Sequence, residues 1–219
     1  MERRILMSDT NTSLATAQCT PKRPRFAQLT MEQLNGQQMA IAQQMVKVTS
    51  AGLAGPVNVM LRSPEMATRR SHLMRYLRFE SSVPPSLNEL AVLIQARLAN
   101  CQYEFWAHRR HAIKAGVPSA IADAVQEGKR PTKMSDTEEA VYQFCVELSL
   151  EHRVTDATFK TLKEFFSEQQ IVDLIVLSGE YSCVSMLLNA AEVEIPNHEI
   201  APLKVMSHAE LRAGLLANK

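Results

Sequence analysis

Apolar side chains recur along most of the chain at intervals of three and four residues, the spacing that places them on one face of an α-helix. No stretch alternates convincingly between apolar and polar residues, so strands are not expected. Helix starts are marked where Ser or Thr is followed three positions later by Glu or Gln, because the two residues can cap each other's backbone N–H groups. Such pairs begin at Thr30, Ser86, Ser135, Ser167 and Ser207. The pattern predicts an all-α fold of about eight helices.

The predicted helices are joined by short connections that contain Gly or Pro. They span about 30–48, 64–79, 86–99, 100–116, 119–128, 135–151, 156–166 and 167–193, with a short helix after Ser207. Residues 49–63 and 128–135 are expected to be loops. Residues 1–25 are polar and lack periodicity, which predicts a mobile tail. Residues 26–219 are expected to form a single domain, since a chain of 219 residues can build one core.

Composition narrows the class of protein. Apolar residues make up 46% of the chain and the formal net charge is +1, without the basic face of most nucleic-acid and membrane-surface proteins. No apolar run reaches the ~18 residues of a membrane span. The four cysteines form no CxxC pair, zinc-site spacing or disulfide framework. We therefore expect a cytoplasmic protein with reduced thiols, which binds neither nucleic acid nor membranes.

One stretch, from Cys101 to His108, could carry chemistry. Cys101, Glu104 and His108 are spaced at i, i+3 and i+7, so they share one face of a helix. Glu104 and His108 are one turn apart, and a carboxylate that binds an imidazole makes it a competent general acid or base. Glu89, from the preceding helix, could join them across a helical hairpin. The four residues are therefore candidate catalytic residues.

Each of these residues also has a purely structural interpretation. Glu89 could simply complete a capping box with Ser86. Cys101 could be an ordinary buried cysteine. Glu104 and His108 could form a surface ion pair. The spacing alone leaves these alternatives open.

Three further residues are candidates for binding a substrate. Arg97 could hold a carboxylate through two parallel hydrogen bonds, or could pair with a neighbouring helix. Tyr103 and Tyr181 could line a pocket, or could only pack in the core. No metal site is predicted, because the other nearby imidazole, His111, is poorly placed to share an ion with His108.

The candidate residues carry a resemblance to a known family. Glu89, Cys101, Glu104 and His108 have the spacing of the E-x11-C-x2-C-x3-H pattern of alkyl hydroperoxidase D proteins, with Glu104 in place of the second cysteine. The run CQYEFWAH resembles the YEW-x-x-H variant of the carboxymuconolactone decarboxylase family, with Phe105 where that variant often has Trp. The similarity extends over about residues 55–196.

The resemblance implies a helical bundle of the alkyl hydroperoxidase D type that assembles into trimers or hexamers. It also implies a cofactor-independent decarboxylase or related lyase acting on a small carboxylated lactone, enol acid or keto acid, in which His108 protonates carbon as CO2 leaves. A first alternative is a peroxidase that uses Cys101, although position 104 offers no second thiol. A second alternative is a helical ligand-binding module without catalytic activity.

Overall fold

A computed structural model describes residues 24–47, 52–196 and 199–217. Most of the predicted mobile tail, residues 1–25, lies outside these ranges. Its last residue, Arg25, is held in place: its backbone N–H donates to the carbonyl of Ala191 at 2.9 Å, and its guanidinium pairs with the Glu192 carboxylate at 3.0 Å.

The described ranges contain ten α-helices and no strand, which confirms the all-α prediction. The helices are α1 Gly36–Met45, α2 Pro56–Met60, α3 Pro64–Arg75, α4 Pro85–Leu98, α5 Gln102–Ala115, α6 Ser119–Gln126, α7 Asp136–Glu151, α8 Asp156–Phe165, α9 Glu168–Ala191 and α10 His208–Leu215. A 3-10 turn at Met31–Gln33 precedes α1. A π-helical turn at Tyr76–Glu80 continues α3.

Local capping explains most of the helix boundaries. The capping boxes at Ser135, Ser167 and Ser207 are all present. Gly116 ends α5 in the left-handed region, with φ of 102°, as its lack of a Cβ permits.

Three local predictions were wrong. Thr30 opens only the 3-10 turn, and the capping residue of α1 is Asn35. The expected loop at 49–63 contains α2, which begins with Pro56 in its first turn. Ser86 is not a capping residue, because α4 begins at Pro85 and Ser86 therefore lies within its first turn. Glu89 is thus free of the capping role.

The centre of the core is α4. Its side chains from Leu90 to Ala96 are almost completely buried, and it packs against α5, α6, α7 and α9. The expectation that no segment suits a membrane span has one exception in α9, which is long and apolar enough by length and composition. Half of that apolar window is buried inside the protein, as in the core helix of a bundle.

Two backbones meet closely where α10 packs against the end of α6. The N–H of Arg130 donates to the carbonyl of Gly214 at 3.0 Å. A Cβ placed on Gly214 would lie 2.0 Å from the carbonyl oxygen of Gly128, well inside van der Waals contact. Only glycine fits at position 214 without moving α10.

We therefore expect Gly214→Ala to lower the free energy of unfolding by about 1–3 kcal/mol, because overpacking displaces backbone rather than a flexible side chain. Urea denaturation measures this change. Gly179→Ala in α9 is the matched control, since nothing lies within 4 Å of its Cβ, and it should raise stability by about 0.5–1 kcal/mol. Equal effects of the two substitutions would contradict the close contact.

Candidate active site

The site is built around His108 of α5, which lies between two carboxylates. Its Nδ1–H donates to Oε2 of Glu89 in α4 at 2.7 Å. Its Nε2 lies 3.2 Å from Oε1 of Glu104, one turn earlier on α5. The side chains of His108, Glu104 and Glu89 are only 8%, 4% and 14% exposed. The structure thus brings together three of the four predicted catalytic residues, and Glu89 acts as a partner of His108 instead of a helix cap.

The two carboxylates control the protonation of His108. Burial alone would lower the pKa of His108, but the hydrogen bonds and negative charges of Glu104 and Glu89 outweigh it and raise the pKa to about 9. Burial would raise the pKa of Glu89, yet His108 and Arg78 bring it below its ordinary value. At neutral pH the centre of the site is therefore an imidazolium between carboxylates.

A cavity of about 320 Å³ reaches His108 and Glu104. Its charged and polar lining residues are Arg70, Ser71, Arg75, Arg78, Tyr103, Glu104, His108, His111 and Tyr181, and its apolar lining residues include Met45, Val57, Met74, Phe79 and Val184. The ring of Tyr181 meets that of His108 edge-on, with centroids 5.0 Å apart. Burial raises the pKa of Tyr181, so its hydroxyl stays protonated. Tyr181 thus lines the cavity, and its role in binding a substrate stays a prediction.

Tyr103 also lines this cavity. The same side chain lines a second cavity of about 280 Å³ and lies between the two. The hydroxyl of Tyr103 is buried and has no hydrogen-bond partner among the described residues. It lies against Gly55, where an added Cβ would be 2.3 Å from the hydroxyl oxygen. Gly55 has φ of 61°, so this approach depends on glycine.

The structure does not bring Cys101 to the cavity. Cys101 caps the start of α5 and is 1% exposed, in an apolar cluster with Tyr103, Val184 and Leu188. Burial raises the pKa of its thiol to about 12. Helical spacing suggested a shared face with Glu104 and His108, but Cys101 precedes the first turn and packs inward.

Arg97 is also placed differently from the prediction. It is fully buried and donates to the carbonyls of Gln126 and Lys204 at 3.1 and 2.9 Å, as well as to the side chain of Asn100. It does not line the cavity. Its role is to fasten the turn between α4 and α5 to the segment before α10, so it is not a substrate ligand in this arrangement.

Three arginines that line the cavity, Arg70, Arg75 and Arg78, were not predicted as site residues. They come from α3 and the π-helical turn. Arg70 pairs with Glu180 at 2.8 Å and Arg75 pairs with Glu80 at 2.9 Å. The sequence shows that this helix is rich in arginine, but it does not show which of the arginine side chains face the cavity. In the described part of the chain, no group of three His, Cys, Asp or Glu residues is arranged to hold a metal ion.

The raised pKa of His108 makes stability depend on pH. Its folded-state pKa of about 9 exceeds the ~6.5 of an unfolded histidine. Protonated His108 therefore stabilises the folded state fully below about pH 6.5, and this stabilisation is lost as pH rises through about 9. We expect the free energy of unfolding to fall over this interval by an amount on the order of 1–3 kcal/mol.

Urea unfolding at several pH values between 6 and 9.5 measures this dependence. His108→Gln should remove most of the slope, whereas Glu65→Gln should keep it, because Glu65 forms an exposed pair with Arg69 on α3. Parallel curves for the wild type and His108→Gln would show that His108 is not the titrating group.

No family model and no curated protein matches the chain, but several solved structures do. An uncharacterized peroxidase-related protein from Ralstonia eutropha JMP134, with an alkylhydroperoxidase AhpD core, has a TM-score of 0.65 at 14% identity, over 80% of this chain and 93% of that one. A debrominase in complex with 2,3,4-tribromopyrrole has a TM-score of 0.60 at 18% identity, over 76% and 88%.

A third structure is a protein of unknown function from Agrobacterium tumefaciens, named as a candidate antioxidant defence protein AhpD. Its TM-score is 0.57 at 17% identity, over 65% of this chain and 98% of that one. At these identities the likeness is one of fold. Together with the ten helices of the described residues, it establishes that this chain has the all-helical alkyl hydroperoxidase D-like fold.

Proposed function

We propose that the protein is an enzyme that acts on a small organic molecule by general acid–base catalysis, with protonated His108 as the acid. The observation that carries the proposal is the buried imidazole between Glu89 and Glu104 at the wall of a cavity. A group that transfers protons at neutral pH needs this combination of shielding, orientation and access to substrate.

The two contacts of His108 have different roles. The 2.7 Å hydrogen bond to Glu89 fixes the ring orientation and keeps the proton on Nδ1. The 3.2 Å contact to Glu104 is looser and lies on the side that lines the cavity. Nε2 is therefore the nitrogen that would give its proton to a substrate, with Glu104 stabilising the positive charge of the ring.

The reaction that we propose is decarboxylation or a related lyase step on a carboxylated lactone, enol acid or keto acid. As the bond to the carboxylate breaks, CO2 leaves and the electron pair of that bond stays on the substrate carbon. The Nε2 proton of His108 bonds to this carbon. His108 is then neutral and regains a proton from water. The chain's own residues supply every group in this step, so the proposal needs no cofactor.

Peroxide reduction at Cys101 is the second candidate. The fold likeness to a peroxidase-related protein supports it. It would need a thiolate in contact with peroxide, whereas burial raises the pKa of Cys101 to about 12 and the thiol does not line the cavity. These observations favour the acid–base proposal over the thiol one.

A ligand-binding module without catalysis is the third candidate. Such a module does not need a buried ion pair at its site, because buried charges are costly to maintain. The burial of Glu104 and His108 at a cavity wall therefore supports an enzyme over this alternative.

His108→Gln should lower turnover by about 10²–10⁴-fold, the usual contribution of a general acid, and Cys101→Ala should change it by less than about threefold. Turnover of the wild type should fall as pH rises through about 9, since His108 then loses its proton.

Small lactone acids, enol acids and keto acids are to be screened for CO2 release, and hydroperoxide consumption is to be followed in parallel. Full activity of His108→Gln would refute the proposal, and loss of peroxide consumption in Cys101→Ala alone would establish the second candidate.

We also propose that the chain assembles with copies of itself, as a trimer or hexamer. Val172, Ile175 and Met186 share the outer face of α9 and are 56%, 41% and 69% exposed, an apolar stripe of the kind that marks an interface. The cytoplasmic location stays a prediction.

Met186→Glu should shift sedimentation toward smaller species, because it would bury a charge at the interface. Ile200→Glu is the control, since Ile200 is 92% exposed and lies outside α9. A monomeric wild-type protein would contradict the assembly.

A further inference from the structure

Arg78 differs from the other half-buried and buried arginines of the described chain. Its guanidinium makes no hydrogen bond to a described residue. Its Nε is buried without a partner, as is the Nε of Arg97, Arg109 and Arg130, but each of those three donates through a terminal nitrogen. The nearest carboxylate oxygen, Oε1 of Glu89, is 3.9 Å from Nη2, which is beyond hydrogen-bond distance. By contrast, Arg97 donates to two carbonyls and Arg70 pairs with Glu180 at 2.8 Å.

The backbone holds Arg78 in this position. It lies in the π-helical turn after α3, which is closed by a hydrogen bond from the N–H of Ser81 to the carbonyl of Tyr76 at 2.8 Å. Turns of this kind are rare, and they are frequent at functional sites. The guanidinium also lies over the ring of Phe79, 4.9 Å from its centroid, so its plane is oriented before any ligand binds.

The surroundings of Arg78 favour an anion. Arg78 lines the cavity together with Arg70, Arg75, His108 and His111, while the acidic residue of that lining is Glu104. The guanidinium is only partly buried, with 23% of the Arg78 side chain exposed, and no described residue accepts a hydrogen bond from it. An anion that enters the cavity can therefore accept from its free donors. A carboxylate is the acceptor that matches its fork geometry.

We infer that Arg78 is the anchor for a carboxylate of the substrate, and that the enzyme acts on small organic acids with an apolar body. The apolar body fits the apolar part of the same lining, which includes Met45, Val57, Met74 and Val184. The inference deepens the proposed function, on which it rests for the reaction that follows binding but not for the binding itself.

The chemistry also identifies which carboxylate binds to Arg78. An ion pair stabilises a carboxylate before it reacts, and this stabilisation would be lost if the same group left as CO2. Interactions that are stronger in the ground state than in the transition state slow a reaction. Arg78 therefore holds a carboxylate that is retained in the product, while the bond that breaks lies toward Nε2 of His108. For the proposed decarboxylation, the substrate then carries two carboxylates, one that stays at Arg78 and one that leaves as CO2.

Binding of simple acids to the full chain tests the anchor without any need for turnover. Benzoate and phenylacetate are the probes, and benzamide and phenylacetamide are their uncharged counterparts. Isothermal titration or ligand-observed NMR at fixed ionic strength gives the dissociation constants. For the wild type we expect each acid to bind at least tenfold more tightly than its amide.

Arg78→Met should weaken binding of the acids at least tenfold and remove the preference for acid over amide. Arg78→Lys should keep only part of the affinity, because an ammonium group cannot form the two parallel hydrogen bonds. Arg69→Met is the matched control, since Arg69 is on the same helix but its side chain is 79% exposed and pairs with Glu65. Its dissociation constants should stay within twofold of the wild type. Circular dichroism and thermal melting check folding, and Arg78→Lys carries the test if Arg78→Met does not fold.

Three results would overturn the anchor. They are unchanged acid affinity in Arg78→Met, equal affinity of the wild type for acids and amides, and no binding of either acid to the wild type at millimolar concentration. Loss of binding in Arg78→Met with full turnover in His108→Gln would instead keep the anchor and reject the proposed acid. The two proposals can therefore fail separately.

Discussion

The site depends on a buried imidazolium between two carboxylates that come from different helices. Three ionisable side chains in a core are tolerated only when their charges and hydrogen bonds are matched. Glu89 and Glu104 carry two negative charges against the single positive charge of His108, and Arg78, 3.9 Å from Glu89, balances the remaining one. A substrate carboxylate at Arg78 would draw on this balancing charge. His108 would then bind its proton more tightly until the substrate carbon is in position to accept it.

Such a site needs α4 and α5 in a fixed register, and the turn between them provides it. Asn100 adopts a left-handed conformation, with φ of 49°, and its side chain accepts from the backbone N–H of Met206 at 3.0 Å. The side-chain amide of Gln102 donates to the carbonyl of Leu203 and accepts from its backbone N–H. Arg97 adds the bond to Lys204. The segment before α10 therefore clamps the turn, and the geometry at His108 depends on residues far from the cavity.

Much of this arrangement could be predicted from the sequence because it is local. Helix starts follow from capping pairs within four residues, and the contact of Glu104 with His108 follows from one turn of helix. To predict that Glu89 pairs with His108, it was enough to assume that α4 and α5 form a helical hairpin. The prediction for Arg97 failed because its acceptors are backbone carbonyls around Gln126 and Lys204, which no sequence pattern encodes. Arg78 was missed because a π-helical turn changes the direction of its side chain, and helical periodicity does not predict such a turn.

Glu104 is the residue that sets the chemistry of the site, because it acts on both candidate groups. For Cys101, burial is the main cause of the raised pKa, and the negative charge of Glu104 raises it further. For His108, burial alone would lower the pKa, and Glu104 is the leading cause of its rise. The same carboxylate thus adds to the effect of burial on the thiol, while it is the leading reason that the imidazole stays protonated at neutral pH. A cysteine at position 104 would have neither effect in its neutral form. Under the proposed function, glutamate at position 104 therefore favours proton transfer at His108 over thiol chemistry at Cys101.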